Sequence, residues 1–277
     1  MEVLETVELV REWRGRHRTV GLVPTMGCLH PGHLSLVRRA RAENDAVAAS
    51  VFVNPSQFGP GEDLAAYPRD LPRDLDMLSG EGCDMVFAPP VAEMYPADYQ
   101  TWIEVGAVAD ALEGARRPGH FRGVATVVAK LLGIVQPDRA YFGRKDAQQL
   151  AVIRTVARDL NLAVDIVGCA TVREADGLAM SSRNTYLDAA QRRAAAVLYR
   201  ALTAAEASWR AGERDAESLR GRMRAVLDAE PLAQTEYVSV ADPVTLRELR
   251  EVGAGALVSM AVRIGRTRLI DNLVLGG

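Results

Sequence analysis

Between Thr19 and Thr25 the chain reads TVGLVPT, and between Ala46 and Val53 it reads AVAASVFV. Runs that are apolar at consecutive rather than alternating positions predict strands buried on both faces, as in a parallel sheet covered by helices. A helical pattern from His33 to about Asn44 lies between them. Strand, loop, helix and strand in succession form a βαβ unit, whose crossover requires parallel strands. Further apolar runs at Met85–Ala88, Ala140–Phe142 and Val164–Val167 alternate with helical stretches near Arg69–Leu78, Gly123–Ile134 and Ala147–Leu160. The expected fold class is α/β, with a doubly wound, Rossmann-like parallel sheet in the N-terminal domain.

The character changes after Arg183. Asp188 is placed to cap a long Ala-rich helix reaching about Trp209, Gly212 interrupts it, and Ala216–Leu227 reads as another helix. Strands follow at Glu236–Val240 and Ala256–Ile264, the latter turning at Gly265-Arg266 into Thr267–Leu275. Helices followed by antiparallel strands predict a smaller α+β C-terminal domain. The boundary falls within residues 174–184, giving expected domains 1–176 and 177–277.

A length of 277 residues suffices to bury a core without staples, and 48 % hydrophobic with 25 % charged residues is ordinary for a globular protein. The formal charge of −3 offers no basic field for nucleic acid. No apolar window is long enough to span a membrane, and the start, MEVLE, is acidic where a signal peptide is basic, so a cytoplasmic location is expected. Cys28, Cys83 and Cys169 are widely spaced and form neither a disulfide framework nor a zinc motif. Of 33 basic residues only Lys130 and Lys145 are lysines, leaving 33 − 2 = 31 arginines, so Lys145 in polar surroundings is a candidate for a task needing a compact point charge.

Six segments could carry chemistry. In the first, PTMGCLHPGH (Pro24–His33), a strand ends, Gly27 and Gly32 let the backbone turn, and Pro31 pre-sets a helix. Free N–H groups at that helix start, with His30 and His33 on one side, make a phosphate site; a zinc site lacks a third ligand in register. The second, Gly143-Arg144-Lys145-Asp146 with Gln148 and Gln149, follows a strand at the sheet edge where ligands bind; a surface pair capping the next helix is the plainer reading of it alone. The third, Met180-Ser181-Ser182-Arg183-Asn184, is either a polyphosphate clamp or a solvated turn. In FVNPSQFG, Gln57 can offer a donor and an acceptor to a small hydroxylated acid, with a Pro-directed turn as the equal alternative. RPGHFRGV (Arg117–Val124) looks like a loop delivering His120 or backbone groups before a helix, with a structural turn as the better reading, and Glu62–Asp70 reads as a charged helix face rather than a cation site.

Together, in this order, PTMGCLHPGH, FVNPSQFG, EDLAAYPRD, RPGHF-x-GV, YFGRKDAQQ and MSSRN closely resemble the pantoate–β-alanine ligase family over about residues 24–184. The HPGH segment also resembles the HxGH signature of a wider nucleotidyltransferase superfamily. The resemblance implies ATP-dependent condensation of pantoate with β-alanine to pantothenate, AMP and pyrophosphate through a pantoyl adenylate. It implies ATP binding by Met26, Gly27, Cys28, Leu29, His30, Pro31, Gly32 and His33, by Gly143, Arg144, Lys145 and Asp146, by Val172, and by Met180, Ser181, Ser182 and Arg183. Gln57 and Gln149 match the family's pantoate-binding glutamines, and His33 its assigned proton donor. Catalytic work falls to His33, His30, Lys145 and Arg183, with Mg²⁺ accompanying ATP and its ligands unassigned. A homodimer is implied as well, and the C-terminal domain carrying the MSSR loop is expected to act as a lid.

Four positions depart from the family pattern: Cys28, Arg144, Ala147 and Arg122. The two arginines are expected to add positive charge near the polyphosphate. Two other classes stay open on the residues alone. An adenylyltransferase acting on a phosphorylated acceptor would explain HPGH but gives no role to Gln57 with Gln149. A nucleotide sensor would bind ATP without producing AMP.

Overall fold

In the computed structural model, which describes residues 1–62 and 64–276, the chain divides into two compact units. One comprises Met1–Arg144 with Gln149–Ala170, and the other Lys145–Gln148 with the chain from Thr171 onward. The division at Ala170/Thr171 lies ahead of the expected 176/177 boundary, and Lys145–Gln148 groups with the later unit.

The first unit runs β1 (Glu2–Leu4), α1 (Val7–Arg14), β2 (Val20–Thr25), α2 (Pro31–Glu43), β3 (Ala46–Val51), α3 (Leu71–Gly80), β4 (Met85–Phe87), α4 (Val91–Met94), α5 (Glu113–Arg116), α6 (His120–Val135), β5 (Arg139–Gly143), α7 (Ala147–Asp159, whose first two residues group with the second unit) and β6 (Asp165–Cys169). The strands form one parallel sheet in the order β1-β4-β3-β2-β5-β6. Val20, Leu22 and Val23 on β2 and Ala46–Ala49 on β3 are all buried, as consecutive apolar positions require of strands covered on both faces. Val23, Val47, Ala49 and Val86 meet Leu36, Val37 and Ala40 of α2 and Leu78 of α3 in one cluster. From β2 the chain steps outward through β3 and β4, and then β5 returns to the other side of β2. The order therefore reverses between β2 and β5, and the turns after these two strands flank a topological switch point, the usual ligand position in open α/β sheets.

Neither β1 nor α1 is among the elements expected from the sequence, whereas Pro55 does direct a turn. The three-residue β1 pairs Glu2 with Met85 and Leu4 with Phe87 at the sheet edge, where the sequence shows no run long enough to mark a strand. Residues 55–57 form a 3-10 turn packed against α6, where Gly123 is required because a Cβ there would lie 2.4 Å from the Ser56 carbonyl oxygen and 2.7 Å from the Gln57 Cα.

The second unit contains a 3-10 turn (Ser182–Tyr186), α8 (Ala189–Ala195), α9 (Val197–Arg210), α10 (Ala216–Asp228) and the antiparallel sheet β7 (Ala233–Ala241), β8 (Ala256–Ile264) and β9 (Thr267–Leu275). Alternate β8 residues Ala256, Val258, Met260, Val262 and Ile264 pack with Leu198, Ala201 and Leu202 of α9 and Leu219, Met223 and Leu227 of α10. Ile264 pairs with Thr267 across Gly265-Arg266, and Gly265 has φ +58°, the left-handed geometry a two-residue hairpin needs. The expected single helix from Asp188 to Trp209 is instead two. At Ala196 the ladder tightens, its N–H reaching the Arg193 carbonyl at 3.4 Å, before α9 restarts.

Candidate functional site

The turn after β2 is held from below. Thr25 donates its hydroxyl to the Ser50 carbonyl at 2.7 Å and accepts the Gly27 N–H at 3.2 Å. Gly27 has φ +81°, and a Cβ there would lie 2.8 Å from Asp74 Oδ2. Cys28 follows at φ +50°, a left-handed conformation costing a residue with a Cβ about 1–2 kcal/mol. What offsets this is Asp74, 1 % exposed on the first turn of α3, whose two oxygens accept the Cys28 and Leu29 N–H groups at 2.8 Å each. The N–H groups expected to be free at the helix start are taken within the protein: that of Gly32 goes to His30 Nδ1, and those of His33 and Leu34 go to the His30 carbonyl at 2.8 and 3.2 Å.

At the helix start His30 is the N-cap, and its Nδ1 accepts the Gly32 N–H at 3.1 Å, while His33 Nδ1 accepts the His30 N–H at 3.4 Å. An imidazole nitrogen that accepts a hydrogen bond carries no proton, so in the neutral rings the proton sits on Nε2. The ring centroids lie 4.0 Å apart with the planes tilted by 32°. Pro31 at the first helical position has no N–H to satisfy.

Gln57 joins this turn directly. Its Nε2 donates to Met26 Sδ at 3.1 Å, and its Oε1 accepts from Asn54 Nδ2 at 3.1 Å. Asn54, 1 % exposed, also donates to the Gly123 carbonyl and accepts from Ser56 and from the Tyr95 hydroxyl at 3.0 Å. Gly143 ends β5, Arg144 starts a 3-10 turn, and Gln149 lies half-buried on α7.

In the second unit Lys145 is largely covered, its Nζ lies 3.9 Å from Asp146 Oδ1, and its carbonyl accepts the Asn272 side-chain N–H at 2.6 Å. The loop from Val172 to Asn184 closes on itself. Met180 donates its N–H to the Val172 carbonyl at 3.0 Å, and Asn184 Nδ2 donates to the Ala179 carbonyl and to Glu174. Ser181 Oγ accepts the Arg183 N–H at 3.3 Å, which sets the start of the Ser182–Tyr186 turn. Arg173 anchors the loop with two hydrogen bonds to Asp271, at 2.7 and 3.0 Å, and stacks on Tyr199 at 4.4 Å. Arg192 pairs with both Glu174 and Asp176.

The Pantoate-beta-alanine ligase family matches residues 2–274. A pantothenate synthetase of Roseiflexus castenholzii is 63 % identical over 99 % of each chain, and one of Chloroflexus aurantiacus is 61 % identical over 100 % of this chain and 99 % of its own. This chain belongs to the pantoate–β-alanine ligase family. Among solved structures, pantothenate synthetase from Thermus thermophilus matches with a TM-score of 0.95 at 51 % identity over 99 % of each chain. The ligase from Francisella tularensis, complexed with β-γ ATP and β-alanine, matches with a TM-score of 0.82 at 33 % identity over 99 % of this chain and 97 % of its own.

Within this family the four departures take specific places. Cys28 sits at the left-handed position of the turn, where burial and the Asp74 charge raise its thiol pKa. Arg122 lies 3.5 Å from Glu104 and over the Trp102 ring at 5.1 Å, so its charge is engaged there. Arg144 is exposed, and Ala147 opens α7.

Three partnerships are not marked by the sequence. Asp74 lies 45 and 46 positions from its partners, and no local spacing marks it. Glu62, read as a charged helix face, instead pairs with Arg117 at 2.7 Å, and the neighbouring Asp63 lies outside the described residues. His120, read as part of a structural turn, bonds to the Gln57 backbone. Removing Arg173 (Arg173→Met) strips the partner from Asp271, which is 1 % exposed. That change is expected to cost about 3–5 kcal/mol by urea denaturation, and an unchanged midpoint would refute the anchoring role.

Proposed function

We infer that the chain condenses pantoate with β-alanine at the expense of ATP, releasing pantothenate, AMP and pyrophosphate. The observation that carries this reading is the contact of the Gln57 amide with Met26, inside the turn that holds two imidazoles with donor Nε2–H groups. An amide able to donate and accept suits a hydroxy acid, and paired N–H donors suit a phosphate chain. An enzyme that only transferred AMP to a phosphorylated acceptor would have no use for that amide at the anion-binding turn.

A carboxylate resists attack by an amine at neutral pH, so the reaction is divided. In the first step a pantoate carboxylate oxygen bonds to the α-phosphorus of ATP and the bond to pyrophosphate breaks. In the second the β-alanine amine attacks the acyl carbon of the adenylate, AMP leaves, and the amine loses its proton. Negative charge grows on phosphate oxygens in the first step, and we assign its stabilisation to the Nε2–H groups of His30 and His33, to Lys145 and to Arg183. His33 is also the proton donor of this reading. Gly27 and its turn, Gly143–Asp146, the Val172 main chain and Met180–Arg183 hold ATP, and Gln57 with Gln149 holds pantoate in line with the α-phosphorus.

Among the described residues no group of three or more His, Cys, Asp or Glu side chains could hold a metal. A Mg²⁺ arriving with ATP would be held by phosphate and water oxygens, as this ion's preference for retaining water allows. The three free thiols suit a reducing compartment, in keeping with a cytoplasmic location. A homodimer completes the reading.

Three measurements test it. With β-alanine omitted, labelled pyrophosphate should enter ATP only when pantoate is present; exchange that instead requires a phosphorylated acceptor would replace the ligase reading. Lys145→Ala should lower kcat by about 10²–10³-fold with the circular dichroism spectrum retained, and a nearly unchanged kcat removes Lys145 from the chemistry. Sedimentation should find particles of two 30.0-kDa chains, and a monomer at assay concentration excludes the dimer.

A further inference from the structure

His120 opens α6 and is 8 % exposed, and both of its ring nitrogens are engaged inside the first unit. Arg117 Nη1 lies 3.0 Å from Nε2 and can only donate, so Nε2 is the acceptor. The proton is therefore on Nδ1, which donates to the Gln57 carbonyl at 2.8 Å. Arg117 is fixed in turn, with Nε and Nη2 donating to Glu62 Oε1 at 2.7 Å and Oε2 at 2.8 Å. The polarity of this relay is set from one end to the other: carboxylate, guanidinium, imidazole, Gln57 carbonyl. A doubly protonated ring would face the Arg117 cation with an N–H where it now offers a lone pair. Burial, with the Arg117 charge adding to it, pushes the imidazole pKa down to about 4 against the opposing carboxylates Glu62 and Glu113, so the ring stays neutral at pH 7.

The same segment is gripped at two further points on α6. Asn54 Nδ2 donates to the Gly123 carbonyl at 3.2 Å, and Gly123 leaves no room for a Cβ against Ser56 and Gln57. Among the described hydrogen bonds His120 is the grip from α6 that takes the Gln57 carbonyl, while the Gln57 N–H goes to the Asn54 carbonyl at 3.4 Å within the 3-10 turn.

We propose that His120, oriented by the Arg117–Glu62 ion pair, is a positioning residue that holds the Gln57 backbone so that its amide meets pantoate. This rests on the assignment of Gln57 to pantoate made above. It predicts a selective effect on one substrate, which a purely structural histidine would not produce.

Two replacements separate the two ring nitrogens. His120→Asn places an amide N–H near Nδ1 and keeps the bond to Gln57, whereas His120→Gln reaches toward Arg117 and loses it. His120→Gln should raise the KM for pantoate about tenfold, the scale of one lost buried hydrogen bond, with the KM for ATP changed by less than about twofold. His120→Asn should restore most of the pantoate KM. Gln57→Ala is the control for the assignment itself: a raised pantoate KM upholds it, and an unchanged one overturns both it and the role of His120. If Gln57→Ala raises the pantoate KM while His120→Gln leaves it at the wild-type value, or if Asn and Gln at position 120 behave alike, the positioning role is overturned and the assignment of Gln57 stands. Should His120→Gln fail to fold, Arg117→Lys decides, since it keeps the charge but loses the two-point hold on Glu62. A pantoate KM raised about threefold with an unchanged ATP KM supports the relay, and an unchanged pantoate KM overturns it.

Discussion

A strand that ends in a parallel sheet and turns at once into a helix leaves backbone N–H groups with no ladder partner, and burying them unpaired would cost about 1–3 kcal/mol each. Here the Asp74 carboxylate takes two of them, from Cys28 and Leu29, and does so from a neighbouring helix rather than from the turn itself. The left-handed Cys28 and the glycine before it are consequences of pointing both N–H groups the same way. With the turn fixed, the next two hydrogen bonds can be made by His30 and His33, each imidazole accepting at Nδ1 and keeping its proton on Nε2. The orientation of both imidazoles is therefore set by backbone, which is itself set by one buried anion.

The four histidines show how much of this chemistry is decided by neighbours. His30 and His33 accept backbone N–H groups at Nδ1, while His120 and His17 donate from Nδ1 to carbonyls of Gln57 and Trp13. In the neutral rings the protonated nitrogen is opposite in the two pairs, Nε2 in the first and Nδ1 in the second, where His120 and His17 direct the N–H to backbone carbonyls. No residue type or spacing in the sequence encodes a tautomer, because the deciding partner of His120 is the Gln57 carbonyl, 63 positions away.

The elements legible from sequence are those whose signal is local. Consecutive apolar residues marked β2, β3 and β5, the Gly265-Arg266 turn marked the β8–β9 hairpin, and Pro31 marked the start of α2. The edge strand β1 has three residues and owes its existence to β4 beside it, so periodicity had nothing to register. The break at Ala196 lies in an alanine-rich stretch whose propensity is helical on both sides, and only the packed structure decides where the ladder tightens. Gln57 and the HPGH turn could be singled out because what an amide or an imidazole donates and accepts travels with the residue type. The partners of Asp74, Glu62 and His120 could not be, since an acidic residue on a helix and a histidine before one are ordinary until distant contacts are known.

The scarcity of lysine acquires a physical meaning once the arginines are placed. Arg117 forks onto Glu62, Arg173 onto Asp271, and Arg192 onto Glu174 and Asp176, each with at least two short hydrogen bonds. A planar guanidinium held in this way is a strut, and its value lies in not changing partners. Lys145 is bound differently: its only described ion pair, to Asp146, is 3.9 Å long, beyond ordinary hydrogen-bonding distance, although the side chain is largely covered. An ammonium on a flexible stem, loosely paired and partly shielded from water, can transfer its attraction to an oxygen that gains charge as a bond breaks. A bidentate arginine at the same position would first have to give up its carboxylate, so under the proposed reaction Lys145, which the fold has not committed to a strut, is the group suited to a transient charge.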